Sequence, residues 1–140
     1  MRLTLEKVLV LKNIPAFEHV SESALSDFIY ACDEVAYAAG KEIVASGSVN
    51  DSLFIILHGM VQIKEGEIVV SELETRQMFG ELTALNPSLV EVSVCAKEET
   101  IALKMSSERL YEIMSLHPSI TKGIIKVLVS RLQLLDNRHI

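Results

Sequence analysis

Apolar positions recur at helical spacing near both ends of the chain and fall into short runs between turn signals in the middle, so helices are expected outside and strands inside. Leu3 to Leu11 predicts a short helix with Leu5, Val8 and Leu9 on its apolar side and Thr4 as its cap. Pro15 stops it, because the residue before a proline is steered away from helical backbone. A second helix opens in "VSESALSDFIYAC": Ser21 is placed to cap it, Glu22 sits at the positive end of the dipole, and Leu25, Phe28, Ile29 and Cys32 share one face. From about Asp33 to Met105 the segments "AAGK", "SGSVND", "LHGM", "KEGE", "ETRQ", "NPS" and "KEET" punctuate about seven or eight strands, roughly ten residues apart, which predicts an antiparallel roll. Gly59, between "LFIIL" and "MVQI", and Gly66, between "VQI" and "IVV", read as tight reversals.

After Ser106 the helical period returns. "SSERLYEIMSLH" places Leu110, Ile113 and Met114 inward, and Pro118 ends that helix while suiting the first turn of the next, "SITKGIIKVLVSRLQLLDN". In this last helix Ile120, Ile124, Val127, Leu128 and Leu135 form a stripe that Ile125, Val129 and Leu132 widen. A stripe broader than the ~100° of a single core contact implies a second surface to cover, either a homodimer partner or the rest of a larger protein. The expected division is helices over 3–32, a roll over 33–105 and closing helices over 106–138. Together they make one α+β domain, 1–140, built on an antiparallel β-roll or jelly roll, a double-stranded β-helix.

Composition narrows the function. The chain has 140 residues, 49% of them hydrophobic, and a net charge of −6; its pI is near 5.2. No Lys/Arg run offers a phosphate backbone the clustered cations it needs, so nucleic-acid binding by this domain is not expected. Charges interrupt the apolar runs before any reaches the roughly 20 residues that span a bilayer, so no membrane segment is expected. "MRLTLEKVLVLKN" is too short and too charged for a signal peptide. A cytoplasmic location is therefore expected, with Cys32 and Cys95 as reduced, buried thiols. His19, His58, His117 and His139 lack metal-ligand spacing, and only His58 falls among the strands, so neither a cupin-like metal site nor a Ser–His–acid arrangement can be built. No enzymatic activity and no cofactor are expected.

The candidate chemistry lies in "MFGELTALNPSLVEVSVCA", residues 78–96. Gly80 permits close backbone approach, and a short helical turn through Glu81–Leu85 aims free N–H groups at whatever sits there. Yet no residue between Arg76 and Lys97 is basic. Alternation along "VEVSVCA" puts Val90, Val92 and Val94 on one face and Glu91, Ser93 and Cys95 on the other. Lys97 falls roughly 20 Å or more from Val90 along an extended strand. Arg76 reads as a solvated turn residue, with folding back toward the site as the alternative, and Asp51 as a turn residue whose side chain bonds the backbone.

The order of elements, "AGKEIVASGSVNDSLFIILHGMVQI", then "FGEL", then two closing helices, resembles the cyclic nucleotide-binding domain family over nearly the whole chain. Gly40, Gly47, Asp51, Leu53–Ile56, Gly59 and Val61 stand where that family has its roll glycines, turn acid and core strand. The resemblance implies that Phe79, Gly80, Glu81 and Leu82 form the ligand turn, Glu81 taking the ribose hydroxyl of cAMP or cGMP and the neighbouring N–H groups its phosphate. The family's phosphate arginine follows nine positions after that glutamate. Here the position is Val90, followed by Glu91 and Val92, so cyclic nucleotide binding is expected to be weak or lost. Three readings follow: a regulatory module with a degenerate pocket, a working sensor of cAMP, cGMP or another small ligand, and a dimerisation or docking domain acting through Ile124, Val127, Leu128, Leu132 and Leu135.

Overall fold

A computed structural model describes residues 3–135. The first helix, α1 (Thr4–Lys12), buries Lys7, Val8 and Leu11. Leu5 and Leu9 instead face solvent, because the buried face turns toward Lys7, whose amine meets Glu34 at 2.9 Å. The residue before the helix is Leu3, and no side chain caps it, so Thr4 is not its cap. A single 3₁₀ turn at Pro15–Phe17 follows. In α2 (Glu22–Tyr30) Ser21 accepts from the Ala24 N–H at 3.1 Å, as its position at the helix entry predicts.

Ten short strands then alternate with turns: β1 (Asp33–Tyr37), β2 (Glu42–Val44), β3 (Val49–Asn50), β4 (Ser52–His58), β5 (Met60–Glu65), β6 (Ile68–Glu74), β7 (Met78–Phe79), β8 (Ser88–Leu89), β9 (Ser93–Ala96) and β10 (Thr100–Ser106), with helix α3 (Glu81–Leu85) after β7. All pairs are antiparallel. One sheet runs β1-β10-β4-β7, the facing one β2-β9-β5-β6, and β3 pairs with β8 alone. The chain closes with α4 (Ser107–Leu116) and α5 (Pro118–Leu135).

The two-sided burial of β4 organises the molecule. Leu53, Ile55 and Leu57 join the core shared with α1, α2, α4 and α5. Phe54 and Ile56 face the other way, into the roll, with Val44, Val61, Phe79 and Val94. A strand covered on both faces reads as an unbroken apolar run, which is how "LFIIL" appears. Inside the roll the Phe54 and Phe79 rings stack at 4.7 Å.

Gly66 closes the β5–β6 hairpin as expected. Gly59 does not make a hairpin: β4 pairs with β10 and β7, while β5 pairs with β6 and β9, so Gly59 turns the corner between the sheets. Its φ of 110° and a would-be Cβ 2.6 Å from the Glu99 carbonyl leave room for no side chain. The Asp51 carboxylate accepts from the Ser52 hydroxyl at 2.9 Å, a side chain rather than the expected backbone group. Cys32 and Cys95 are half-buried rather than buried. Burial, aided by Asp33, pushes the Cys32 thiol up to about 12.

In α5 the apolar stripe divides along its length. Ile120, Gly123 and Ile124 are buried, and Val127 and Leu128 pack at the core edge. Ile125, Val129, Leu132 and Leu135 are exposed, Leu135 at 86%. Leu135 therefore leaves the core stripe that periodicity gave it. Residues 136–138 of the expected helix, and His139, lie outside the described residues. Among those residues no helix is long and apolar enough to cross a membrane.

Candidate functional site

The Gly80 turn and the short helix that follows it form as the sequence predicts. Gly80 enters α3 with φ 80°, and a Cβ there would stand 2.4 Å from the Ser52 carbonyl, so only glycine lets the turn lie against β4. The turn is tied down from the side: Asn50 Nδ2 donates to the Ser52 carbonyl at 2.9 Å and to Thr83 Oγ1 at 2.7 Å. Phe79 is buried beneath it, and Leu82 stands exposed at its rim.

A cavity of about 180 Å3 opens beside the turn, walled by Val44, Ile63, Val90, Val92 and Val94, with Glu81 and Arg131 also lining it. The valines thus face inward as alternation predicts. The strand itself is broken, since β8 ends at Leu89 and β9 begins at Ser93. Val90 is still held firmly: its N–H donates to the Ser48 carbonyl at 2.9 Å, and its own carbonyl accepts from Gly47 at 2.8 Å. Glu91 points outward and is exposed; its backbone carbonyl accepts from the Ser46 hydroxyl at 3.2 Å.

Arg131, from the far end of α5, is the residue that sequence reasoning missed. Its Nε meets Glu81 Oε1 at 2.5 Å, and its Nη2 donates to the Met78 carbonyl at 3.0 Å. Glu81 is only 1% exposed, and its second oxygen, Oε2, is buried without a hydrogen-bond partner. Burial raises the Glu81 pKa above its ordinary value; a hydrogen bond from its own backbone N–H and the Arg131 charge act in the opposite direction. Asn50 and Thr83 were also overlooked. A lone basic residue inside "VLVSRLQLL" was the available signal for Arg131, but nothing local in sequence joins position 131 to position 81.

Neither cation weighed from the sequence serves the site. Arg76 is an exposed turn residue in left-handed backbone, φ 77°, and Lys97 pairs with Glu72 at 3.0 Å. Among the histidines, His19 and His58 are exposed, and His117 meets Asp27 at 2.8 Å. No group of His, Cys, Asp or Glu suited to a metal occurs among the described residues. On the other side of Arg131 lies a wider groove of about 570 Å3 between Pro15, Leu73 and Met78 and the α5 residues Val127 and Val129.

The family model described as cyclic nucleotide-binding domain matches residues 34–117. The chain belongs to the cyclic nucleotide-binding domain family. As such a domain it is 27% identical over 133 residues to a CRP-like cAMP-activated global transcriptional regulator of Mycobacterium tuberculosis, covering 91% of this chain and 59% of the regulator. It is 30% identical over 113 residues to a cAMP-dependent protein kinase regulatory subunit of Dictyostelium discoideum, covering 75% of this chain and 33% of the subunit. The domain thus spans less than two thirds of the length of either relative. The fold is shared with the catabolite activator protein of Thermus thermophilus, at TM-score 0.80, 22% identity, 87% of this chain and 60% of that one. It is shared equally with a cyclic nucleotide-binding domain from Methylobacillus flagellatus, at TM-score 0.80, 18% identity, 93% of this chain and 78% of that one. The cyclic nucleotide-binding domain is thus a regulatory one by family, and the β-roll and flanking helices expected from its pattern are the family's own.

Proposed function

We propose that residues 1–140 act as one regulatory module of cyclic nucleotide-binding type, without catalytic activity, whose affinity for cAMP and cGMP is weak or lost and whose output surface is α5. The observation that carries this is Val90, held by its backbone in the cavity wall where the family resemblance places the phosphate arginine. A bidentate arginine–phosphate pair makes two charge-assisted hydrogen bonds, each contributing about 1.5–3 kcal/mol, so its absence weakens binding on the order of a hundredfold or more. Arg131 does not replace it, because its guanidinium is already committed to Glu81 and the Met78 carbonyl. The size of the cavity, about 180 Å3, also lies below the roughly 300–1,000 Å3 of drug-sized ligand sites.

Isothermal titration with cAMP and with cGMP tests the reading. The expected result is no saturation tighter than ~100 μM, the weak side of the micromolar scale. Val90→Arg is expected to gain affinity, because the turn, Glu81 and the roll are in place. Tight binding by the unaltered protein overturns the degenerate-pocket reading in favour of a working sensor.

A second role has its own support. Ile125, Val129, Leu132 and Leu135 are exposed on α5, and we propose that this face pairs with a second copy or docks on the remainder of a larger protein. The unpaired thiols of Cys32 and Cys95 accord with a cytoplasmic location.

A further inference from the structure

The wider groove beyond Arg131, at about 570 Å3, falls within the roughly 300–1,000 Å3 of small-molecule sites. Its walls are apolar: Ile14 and Pro15 at the 3₁₀ turn, Leu73 of β6, Met78 of β7, and Val127 and Val129 of α5. The polar side chains on it are Gln77, Lys126, Ser130 and Arg131, and among the described residues no acidic side chain lines it. Two acceptors at this edge are already engaged. Gln77 Oε1 takes the Glu74 N–H at 2.9 Å, and the Met78 carbonyl takes Arg131 Nη2 at 3.0 Å. What remains is a set of donors. Lys126 is exposed and pairs with no acidic residue among those described, and Ser130, four residues on, shares its helix face. Arg131 is committed to Glu81, so the one uncompensated charge on the groove is the Lys126 ammonium. A single unmatched cation beside a hydrocarbon wall selects a single anion on an apolar body, whereas a second cation is repelled and a polyanion keeps unmatched charge.

We infer that this groove binds a free apolar monocarboxylic acid, its carboxylate accepting from the Lys126 ammonium and the Ser130 hydroxyl and its hydrocarbon chain lying between α5 and the wall formed by Pro15, Leu73 and Met78. The site is separate from the cavity walled by Val90, and it stands whether or not that cavity holds a cyclic nucleotide.

The test is a titration of the 140-residue protein at neutral pH with octanoate, butanoate, 1-octanol and octylammonium. It is followed through the backbone amide shifts of Ile14, Met78, Val127 and Ser130, with those of Glu81, Leu82 and Thr83 as the control. Octanoate is expected to saturate in the ~1 mM range, as suits so few atoms, with its shifts confined to the groove. Butanoate should bind at least ~10-fold more weakly, because each buried methylene strengthens binding by up to ~4-fold. 1-Octanol keeps the chain but loses the charge, and should bind at least ~5-fold more weakly than octanoate. Octylammonium is expected to cause no saturable shift. Lys126→Glu, at an exposed position, should abolish octanoate binding and admit octylammonium, a reversal that a merely structural role for Lys126 would not give. Equal binding of octanoate and 1-octanol overturns the inference, as does octanoate affinity unchanged in Lys126→Glu or a response centred on the control amides. Val129 also belongs to the face proposed for pairing, so the titration is repeated on Leu132→Asp, and silence from octanoate in both proteins overturns the inference. A parallel cAMP titration keeps the two readings apart, since tight cAMP binding defeats only the degenerate-pocket reading and leaves the groove's ranking of probes unchanged.

Discussion

Glu81 carries an energetic signature that can be measured without any ligand. Its folded pKa is raised above 4.5, chiefly by burial, so the folded state holds the Glu81 proton more tightly than the unfolded chain. The stabilisation that comes from this proton is fully present below the unfolded value and disappears as pH rises through the folded one. Compared with Glu81→Gln, the unaltered protein should therefore lose relative stability as pH climbs above about 4.5, as read by urea denaturation at a series of pH values. Arg131→Gln removes an influence that lowers this pKa, so the decline should extend to higher pH. At neutral pH the same variant should cost about 1–2 kcal/mol, limited by the partial exposure of the arginine. Gly80→Ala is the severe case: its Cβ has no space against the Ser52 carbonyl and its φ is positive, so a loss of at least ~2 kcal/mol is expected in the same denaturation experiment.

At the scale of elements, α5 depends on an absence of bulk. Gly123 lies inside the helix, where alanine is ordinarily preferred by about 1 kcal/mol. Here an added Cβ would fall 2.5 Å from the Phe17 ring and 2.9 Å from the Ala16 carbonyl. Gly123→Ala should thus reverse the usual sign and destabilise by about 1–3 kcal/mol, seen as a lower Tm. The helices α2, α4 and α5 were legible because Ser21, Pro118 and the apolar stripes are local signals that tertiary packing reinforces. The valine face of residues 90–94 was legible too, although the strand breaks within it, because alternation survives a short interruption. Gly59 was misread because a glycine between two apolar runs looks alike at a hairpin and at a corner between sheets. Only the pairing of β4 with β10 and β7 tells them apart.

Over the whole molecule, the exposed apolar residues of α5 lead to a prediction about assembly. Light scattering should show a mass above that of the 15.5 kDa monomer as concentration rises. Leu132→Asp should return it to the monomer with its unfolding transition nearly unchanged, since surface substitutions of this kind shift stability by only about 0.5 kcal/mol. The family and the roll could be read from the order of glycines, the "LFIIL" strand and "FGEL" because those residues are close in sequence and each has a local physical cause. The pairing of Arg131 with Glu81 spans 50 positions and depends on how α5 lies across the roll, which no periodicity encodes.

Arg131 shares a helix with Val129 and Leu132, so the residue that grips Glu81 is rigidly joined to the face that a second copy would cover. Linkage then works in both directions: whatever factor pairing imposes on occupancy of the cavity, occupancy imposes on pairing. If dimers hold a ligand less well than monomers do, saturating that ligand must drive the dimers apart, and the midpoint of dissociation on dilution would report it.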